Sequence, residues 1–209
     1  MVEWQASLLD AGDCAEPRPD RTFAGLVRHE LDPRCWVDHA PGWLSGSDEV
    51  FETLVAQAKW AQLSRRMYDK QVEQPRLTAS WRTDRELLAA LPAIDEMRSV
   101  LSERYGVELD SGGINFYRDG RDSVAWHGDR IPKEVVDPVV CLVSVGEPRK
   151  FLLRPKGGGP SLKFMLGRGD LLVTGGATQR AWDHSVPKVA QAGPRISITF
   201  RHGIRPEPD

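Results

Sequence analysis

The second half of the chain most constrains what it can fold into. From Ser111 onward, short runs rich in β-branched and aromatic residues are separated by Gly, Pro or Asp: Ile114–Tyr117, Val124–His127, Val139–Val145, Lys150–Arg154, Leu162–Met165, Asp170–Thr174, Gln179–His184 and Arg195–Arg201. Strands this short, with connections this short, do not leave room for crossover helices between them. They predict an α+β, mainly β fold in which a sandwich or barrel of the jelly-roll type buries its core between two sheets. No internal repeat interrupts the series.

The preceding hundred residues read differently. Residues 1–20 hold acids and the helix-blocking Pro17 and Pro19, and predict a poorly ordered segment. Leu26–Leu31 and Trp36–His39 read as short strands, the second ended by Pro41-Gly42. Ser47 as an N-cap, the acids Asp48 and Glu49, and apolar Val50, Phe51, Leu54, Val55 and Ala58 predict a helix. Arg85–Leu91 is helical in pattern and stopped by Pro92; a further helix runs from Ala93 to Tyr105 and ends at Gly106. Between these helices, residues 61–84 form the one locally basic and aromatic stretch, with Arg65, Arg66, Lys70, Arg76 and Arg82 around Tyr68 and Trp81. The organisation predicted is an N-terminal extension over 21–110, continuous as one domain with a core over 111–202, and a short tail over 203–209.

Composition limits the function classes. Apolar residues at 40% and charged residues at 28% are ordinary for a soluble globular protein. A net charge of −2 argues against a long polybasic platform but leaves room for a local basic face. Three cysteines, Cys14, Cys35 and Cys141, are odd in number and lack CxxC spacing. They favour a reducing compartment over a disulfide framework or structural zinc. No apolar run resembles a signal peptide or membrane span, so the expectation is a cytoplasmic protein with no membrane partner, acting as a monomer.

The chemistry centres on Trp126-His127-Gly128-Asp129. An imidazole and a carboxylate two residues apart lie on one side of an extended backbone. His184, at the end of a later run, is the best candidate for a third ligand. Two His and one carboxylate on one face of a metal suit non-haem Fe(II), with positions left open for substrate and oxygen. Taken alone, a His-x-Asp tripeptide is equally a surface pair. Arg195-Ile-Ser-Ile-Thr-Phe-Arg201 alternates cleanly: Arg195, Ser197, Thr199 and Arg201 face one way, Ile196, Ile198 and Phe200 the other. The polar face is either in water on an edge strand, or inward, where each Arg would need an anionic partner. Asn115 and Tyr117 share a face in the same manner and can donate hydrogen bonds to a carboxylate or keto oxygen.

Together, Asn115-Phe-Tyr117, His127-Gly-Asp129, the stretch Gly175 to Lys188 around Trp182-Asp-His184, and Arg195 to Arg201 resemble the AlkB family of Fe(II)- and 2-oxoglutarate-dependent dioxygenases. The resemblance runs from about Arg65 to the C-terminus. It implies a double-stranded β-helix core with N-terminal helices packed on one sheet. It implies that His127, Asp129 and His184 bind Fe(II), with Asn115 and Tyr117 contacting 2-oxoglutarate. Arg195 would pair with the distal carboxylate of that co-substrate and Arg201 would lie near its metal-bound end. Ser197 stands where the family usually has Asn. Gln74 to Trp81 resembles the family's nucleotide-recognition lid, which casts Arg76, Trp81 and Tyr68 as substrate-binding, with Arg65, Arg66 and Lys70 meeting phosphate; Trp81 as a core anchor is the plainer alternative. Trp126 would wall the pocket or pack inside the sandwich. Arg130-Ile131-Pro132-Lys133 is basic and apolar where several nucleic-acid demethylases carry an acid. The implied function is O2-dependent oxidative demethylation of N-alkylated bases in nucleic acid, DNA before RNA, releasing formaldehyde, succinate and CO2 in alkylation-damage repair. The alternatives are a 2-oxoglutarate-dependent hydroxylase or demethylase of RNA, protein or a small molecule, and a non-catalytic ligand-binding jelly roll.

Overall fold

The computed structural model describes residues 15–67, 70–129 and 131–203. The first half contributes β1 (Arg18–Pro19), β2 (Val27–Asp32), β3 (Cys35–Ala40), β4 (Leu44–Ser45), α1 (Ser47–Gln57), β5 (Ser64–Met67), β6 (Lys70–Glu73), β7 (Leu77–Ala79), α2 (Arg85–Ala90) and α3 (Ala93–Tyr105). The second half contributes β8 (Ser111–Tyr117), β9 (Val124–His127), β10 (Val140–Gly146), β11 (Arg149–Pro155), β12 (Leu162–Leu166), β13 (Asp170–Gly176), α4 (Thr178–Ala181), β14 (Trp182–Val186) and β15 (Arg195–Arg201).

Alternation along β15 decides the layering. This strand lies between β10 and β8 in the middle of a seven-stranded antiparallel sheet, ordered β2-β3-β13-β10-β15-β8-β7. It is a central strand, so neither face meets water. Ile196, Ile198 and Phe200 turn outward and pack with Val143, Val145 and Val173 against Leu54 of α1 and Ile94, Met97 and Leu101 of α3. The opposite face, with Arg195, Ser197 and Thr199 all buried, turns towards the second sheet, ordered β12-β11-β14-β9. Between the sheets Phe151, Leu153, Phe164, Leu166, Leu172 and Val186 form a smaller apolar cluster. Eight strands from β8 to β15 in two facing sheets make the jelly roll; β2, β3 and β7 extend its larger sheet, and the helices cover the outer side of that sheet.

Local signals explain the helix ends. Asp84 caps α2, its carboxylate accepting from Leu87 N at 3.1 Å. Gly106 closes α3 in the left-handed conformation at φ 65°. At α1 the cap differs from the expectation. Gly46 takes that position with φ 63° and Ser47 is the first helical residue. A side chain at Gly46 would meet Ala15 O at 2.2 Å, so close passage of the preceding chain selects glycine over a capping hydroxyl.

Three other expectations need correction. Residues 15–20 are not loose, because Arg18–Pro19 pair with Leu44–Ser45; proline is tolerated at such an edge. The stretch 61–84 contains a β5–β6 hairpin and β7, where composition had shown only charge and aromatics. The run Gln179–His184 begins as the helical turn α4 and becomes strand only at Trp182. Thr178 stabilises that turn, its hydroxyl lying 2.6 Å from Gly175 O while it accepts from Trp36 N at 3.1 Å.

Trp81 is also corrected. It is not a lid residue: it is only 3% exposed, packs on Phe200 with ring centroids 5.4 Å apart, and donates its indole N–H to Thr199 O at 3.1 Å. Truncating a buried Trp costs about 3–5 kcal/mol. Trp81→Ala should therefore lower the unfolding free energy by that amount in urea titration; unchanged stability with weakened substrate binding would restore the lid assignment.

Candidate active site

β9 and β14 pair at the edge of the smaller sheet, and their register slips. His127 stands opposite His184, and Val124 opposite Val186, so Ala125 and Trp126 together face Ser185 alone. Such a bulge re-aims side chains. It lets Val124 and His127 both reach the interior, where regular alternation would have sent them to opposite faces. Gly128 then carries the chain inward to Asp129. A Cβ at Gly128 would sit 2.8 Å from Gln179 O, a close approach that requires glycine.

The three sequence-selected ligands converge. Donor atoms of His127, Asp129 and His184 all lie within 4.8 Å of one another. The imidazole rings are 4.3 Å apart by centroid, and His184 Nε2 is 3.9 Å from Asp129 Oδ1. His127 Nδ1 lies 2.8 Å from Ala125 O, a carbonyl that can only accept; Nδ1 is therefore the donor there, which leaves Nε2 as the nitrogen for a metal. His184 stacks on Phe151 at 5.3 Å. Burial pushes its pKa down to about 4, so at neutral pH it is the unprotonated ligand form. Burial would raise the Asp129 carboxyl, but Arg201 first, then the two imidazoles, hold it below the ordinary carboxylate range.

Asp129 is held by its carboxylate, by its backbone and through the loop that follows it. Arg201 Nε donates to Asp129 Oδ2 at 2.8 Å, leaving Oδ1 directed at the imidazoles. The Asp129 backbone N–H donates to Gln179 Oε1 at 3.1 Å, and Gln179 Nε2 donates to Thr174 Oγ1 at 2.7 Å. Arg180 donates to the carbonyls of Pro132, Val135 and Val136, pinning the loop that follows. Gln179 and Arg180 were not singled out in the sequence. An amide bridging a helical turn to a strand leaves no periodic trace, and only its place inside the Gly175–Lys188 motif pointed to it.

From this triad a cavity of about 250 Å³ runs along the inner face of β15. Asn115, Tyr117, Arg195, Ser197 and Arg201 all line it, as does Arg76. Arg76 Nε donates to Asn115 Oδ1 at 2.9 Å, which leaves the Asn115 amide N–H groups for a ligand. At the far end Arg195 is 0% exposed. Its Nη2 donates to Ser144 Oγ at 2.6 Å, while Nε and Nη1 have no hydrogen-bond partner. Its guanidinium sits 5.3 Å from the Tyr117 ring, and burial lowers its pKa to about 10. Arg149, a second buried guanidinium missed in the sequence, lies 5.9 Å from the same ring. It donates to the carbonyls of Asp119, Asp122 and Pro187, tying together the loops at this end. Among the described residues Asp129, at the opposite end, is the only carboxylate lining the cavity. Buried cationic N–H groups with no anion opposite are costly unless a ligand supplies one.

Two nominated residues stand elsewhere. Trp81 belongs to the core, and Trp126 does not wall the pocket. As the neighbour of the inward His127, Trp126 turns to the outer face of the smaller sheet, where the Arg154 guanidinium lies 4.0 Å from its ring centroid. Tyr68 and Arg130, and the side chains of Arg65, Arg66 and Lys70, lie outside the described residues.

Comparison with known proteins agrees with this geometry. Residues 39–201 match the model of the 2OG-Fe(II) oxygenase superfamily. The chain belongs to this superfamily. Fe(II) and 2-oxoglutarate are its cofactor and co-substrate, and the donor set and the unsatisfied Arg195 fit both. Within the superfamily the chain is an AlkB-family member. It is 32% identical over 189 residues to alpha-ketoglutarate-dependent dioxygenase alkB homolog 3 of Bos taurus, covering 80% of this chain and 66% of that protein. The DNA oxidative demethylase ALKBH2 of Arabidopsis thaliana is 37% identical over 120 residues, 46% of this chain and 38% of that protein. The chain thus spans only about two thirds of the alkB homolog 3 sequences. Two solved structures share the fold. A prolyl hydroxylase from Trichoplax adhaerens, in complex with a hypoxia inducible factor oxygen degradation domain peptide fragment, has a TM-score of 0.58 at 15% identity, covering 79% of this chain and 82% of that one. OsALKBH1 has a TM-score of 0.54 at 17% identity, covering 85% and 100%. Among the described residues no helix is long and apolar enough to cross a membrane.

Two outcomes test the site. Gln179→Leu removes the acceptor for Asp129 N–H and the donor to Thr174; it should weaken Mn(II) binding about 10- to 100-fold, as loss of such support does elsewhere. Unchanged affinity would relieve Gln179 of that role. His184, near 6.5 unfolded and about 4 folded, contributes stability that is fully present above pH 6.5 and is lost as pH falls towards 4. The metal-free protein should lose roughly 2 kcal/mol from this group between pH 7 and 5 in denaturant titrations, and His184→Asn should flatten that dependence.

Proposed function

We propose that this chain is an Fe(II)- and 2-oxoglutarate-dependent dioxygenase that removes N-methyl groups from bases in nucleic acid. One observation carries the co-substrate: a fully buried guanidinium with two unsatisfied N–H-bearing nitrogens lies in the same cavity as a His-Asp-His cluster. A small dianion with a chelating end satisfies both. The nucleic-acid substrate is supported by relatives named as alkB homolog 3 and as a DNA oxidative demethylase.

His127, Asp129 and His184 would hold the metal, and 2-oxoglutarate would extend from it to Arg195. Bound together with O2, iron and co-substrate supply the oxidising power that hydroxylates the N-methyl carbon, the co-substrate leaving as succinate and CO2 and the methyl carbon as formaldehyde. Arg195 neutralises the distal carboxylate, and its burial strengthens that pair. The Asn115 amide, oriented by Arg76, and the Tyr117 hydroxyl donate to the co-substrate oxygens. Ser197, between the two arginines on β15, offers a shorter donor than the family's usual Asn. Arg201 keeps Asp129 ionised and aimed. A base must leave its stack to reach this interior site, which costs a few kcal/mol and is cheapest in single strands.

Formaldehyde release from N-methylated single-stranded DNA, with Fe(II) and 2-oxoglutarate supplied, tests the reading. His127→Ala or Asp129→Ala should abolish formaldehyde and succinate formation with the fold retained. Arg195→Ala should raise the 2-oxoglutarate concentration for half-maximal rate at least tenfold, since a charged hydrogen bond is worth about 1.5–3 kcal/mol. Turnover that survives ligand removal would reject the metal site. Succinate formation driven only by RNA, a peptide or a free nucleoside would move the substrate class.

A further inference from the structure

The outer face of the smaller sheet has no role in the reaction just described, yet its composition is unusual for a chain of net charge −2. The sheet's inner residues, Phe151, Leu153, Phe164 and Leu166, belong to the sandwich core, so the alternating positions of β11 and β12 face outward. These carry Lys150, Leu152 and Arg154 on β11 and Lys163 and Met165 on β12. In register, Lys163 stands opposite Leu152 and Met165 opposite Lys150. Lys163 is therefore a diagonal neighbour of both Lys150 and Arg154, at roughly 7–8 Å on one face. The Arg154 guanidinium carbon lies 4.0 Å from the Trp126 ring centroid, and Trp126 immediately precedes the ligand His127. Asp183 is the acid opposite Arg154, but among the described residues none of the three cations makes an ion pair. Met165, on the same face, is 45% exposed.

We propose that this face, with Lys150, Arg154 and Lys163 around Trp126, is a track for the phosphate backbone of a single nucleic-acid strand that leads to the active-site mouth. The inference rests on the nucleic-acid reading above. Cations at close spacing on a sheet face, with the Arg154 guanidinium held over Trp126 and Met165 exposed beside them, supply the feature that holds a single strand here: fixed positive charge that neutralises successive phosphates. The direction follows from β9. Trp126 points outward and His127 inward on adjacent residues of the edge strand β9, so a strand lying over Trp126 reaches the site by passing round that edge.

The test uses the full chain and the triple variant Lys150→Ala/Arg154→Gln/Lys163→Ala, all outside the cavity. Binding of a labelled single-stranded oligodeoxynucleotide is read by fluorescence anisotropy across a salt series. Loss of three phosphate contacts should reduce the slope of log K against log salt by about 2, at ~0.7 per contact on single strands. The variant should show a raised KM on a long methylated strand and unchanged turnover of a methylated trinucleotide, which is too short to reach the track. An unchanged slope and KM while the wild type demethylates strands would reject this surface and leave the proposed function standing. Equal loss on the trinucleotide, or loss confined to duplexes, would also reject it. A wild type that neither binds nor demethylates any nucleic acid would overturn both.

Discussion

Everything in this structure depends on burying guanidinium groups inside a sandwich. β15 sits at the centre of the larger sheet with Ile196, Ile198 and Phe200 committed to the helix-covered core. Strict alternation then forces Arg195, Ser197, Thr199 and Arg201 into the space between the sheets. A fold gains nothing by placing Arg195 there with two nitrogens unsatisfied, since desolvating a cation is expensive. The cost is rational only if something anionic enters. Arg201 shows what the satisfied version looks like: its partner, Asp129, is a member of the ligand cluster.

The site is accordingly assembled from parts that solve different problems. The β9–β14 bulge brings His127 opposite His184; Gly128 allows the close approach that places Asp129; Gln179, Arg180 and Arg201 hold the segment that bears it. At the other end, Arg149 ties three carbonyls together behind Tyr117, so the loops there are closed around the cavity rather than left to move. The metal end presents the ligand cluster with its carboxylate, the far end uncompensated positive charge. An elongated dianion with a chelating head matches that polarity along its length.

Much of this could be read from residue order. α3 was bounded by Pro92 and Gly106, and the strands from Ser111 onward by their alternation and turn residues, because both signals are local. His127-Gly-Asp129 was legible because period two places its ends on one side. The bulge was not, since a slip in pairing involves a distant strand. Gln179 and Arg149 were missed for a related reason: Gln179 accepts from the backbone of Asp129 and Arg149 donates to the carbonyls of Asp119, Asp122 and Pro187, all distant in sequence. Trp81 misled because a tryptophan amid arginines looks the same whether it stacks on a base or anchors a sheet; only the donation to Thr199 O decides. Trp126 stands beside the ligand but on the outer side of the sheet, where alternation from the inward His127 puts its neighbour.

The central claim is that one small molecule spans the metal cluster and Arg195. Calorimetric titration of 2-oxoglutarate into the protein, with and without Mn(II), tests it directly, because coupling between two sites is reciprocal. Metal should tighten 2-oxoglutarate binding, and by the same factor 2-oxoglutarate should tighten metal binding. Glutarate, which keeps both carboxylates but lacks the keto oxygen, should show much weaker coupling. Equal affinities with and without metal, or identical coupling for glutarate, would contradict the account.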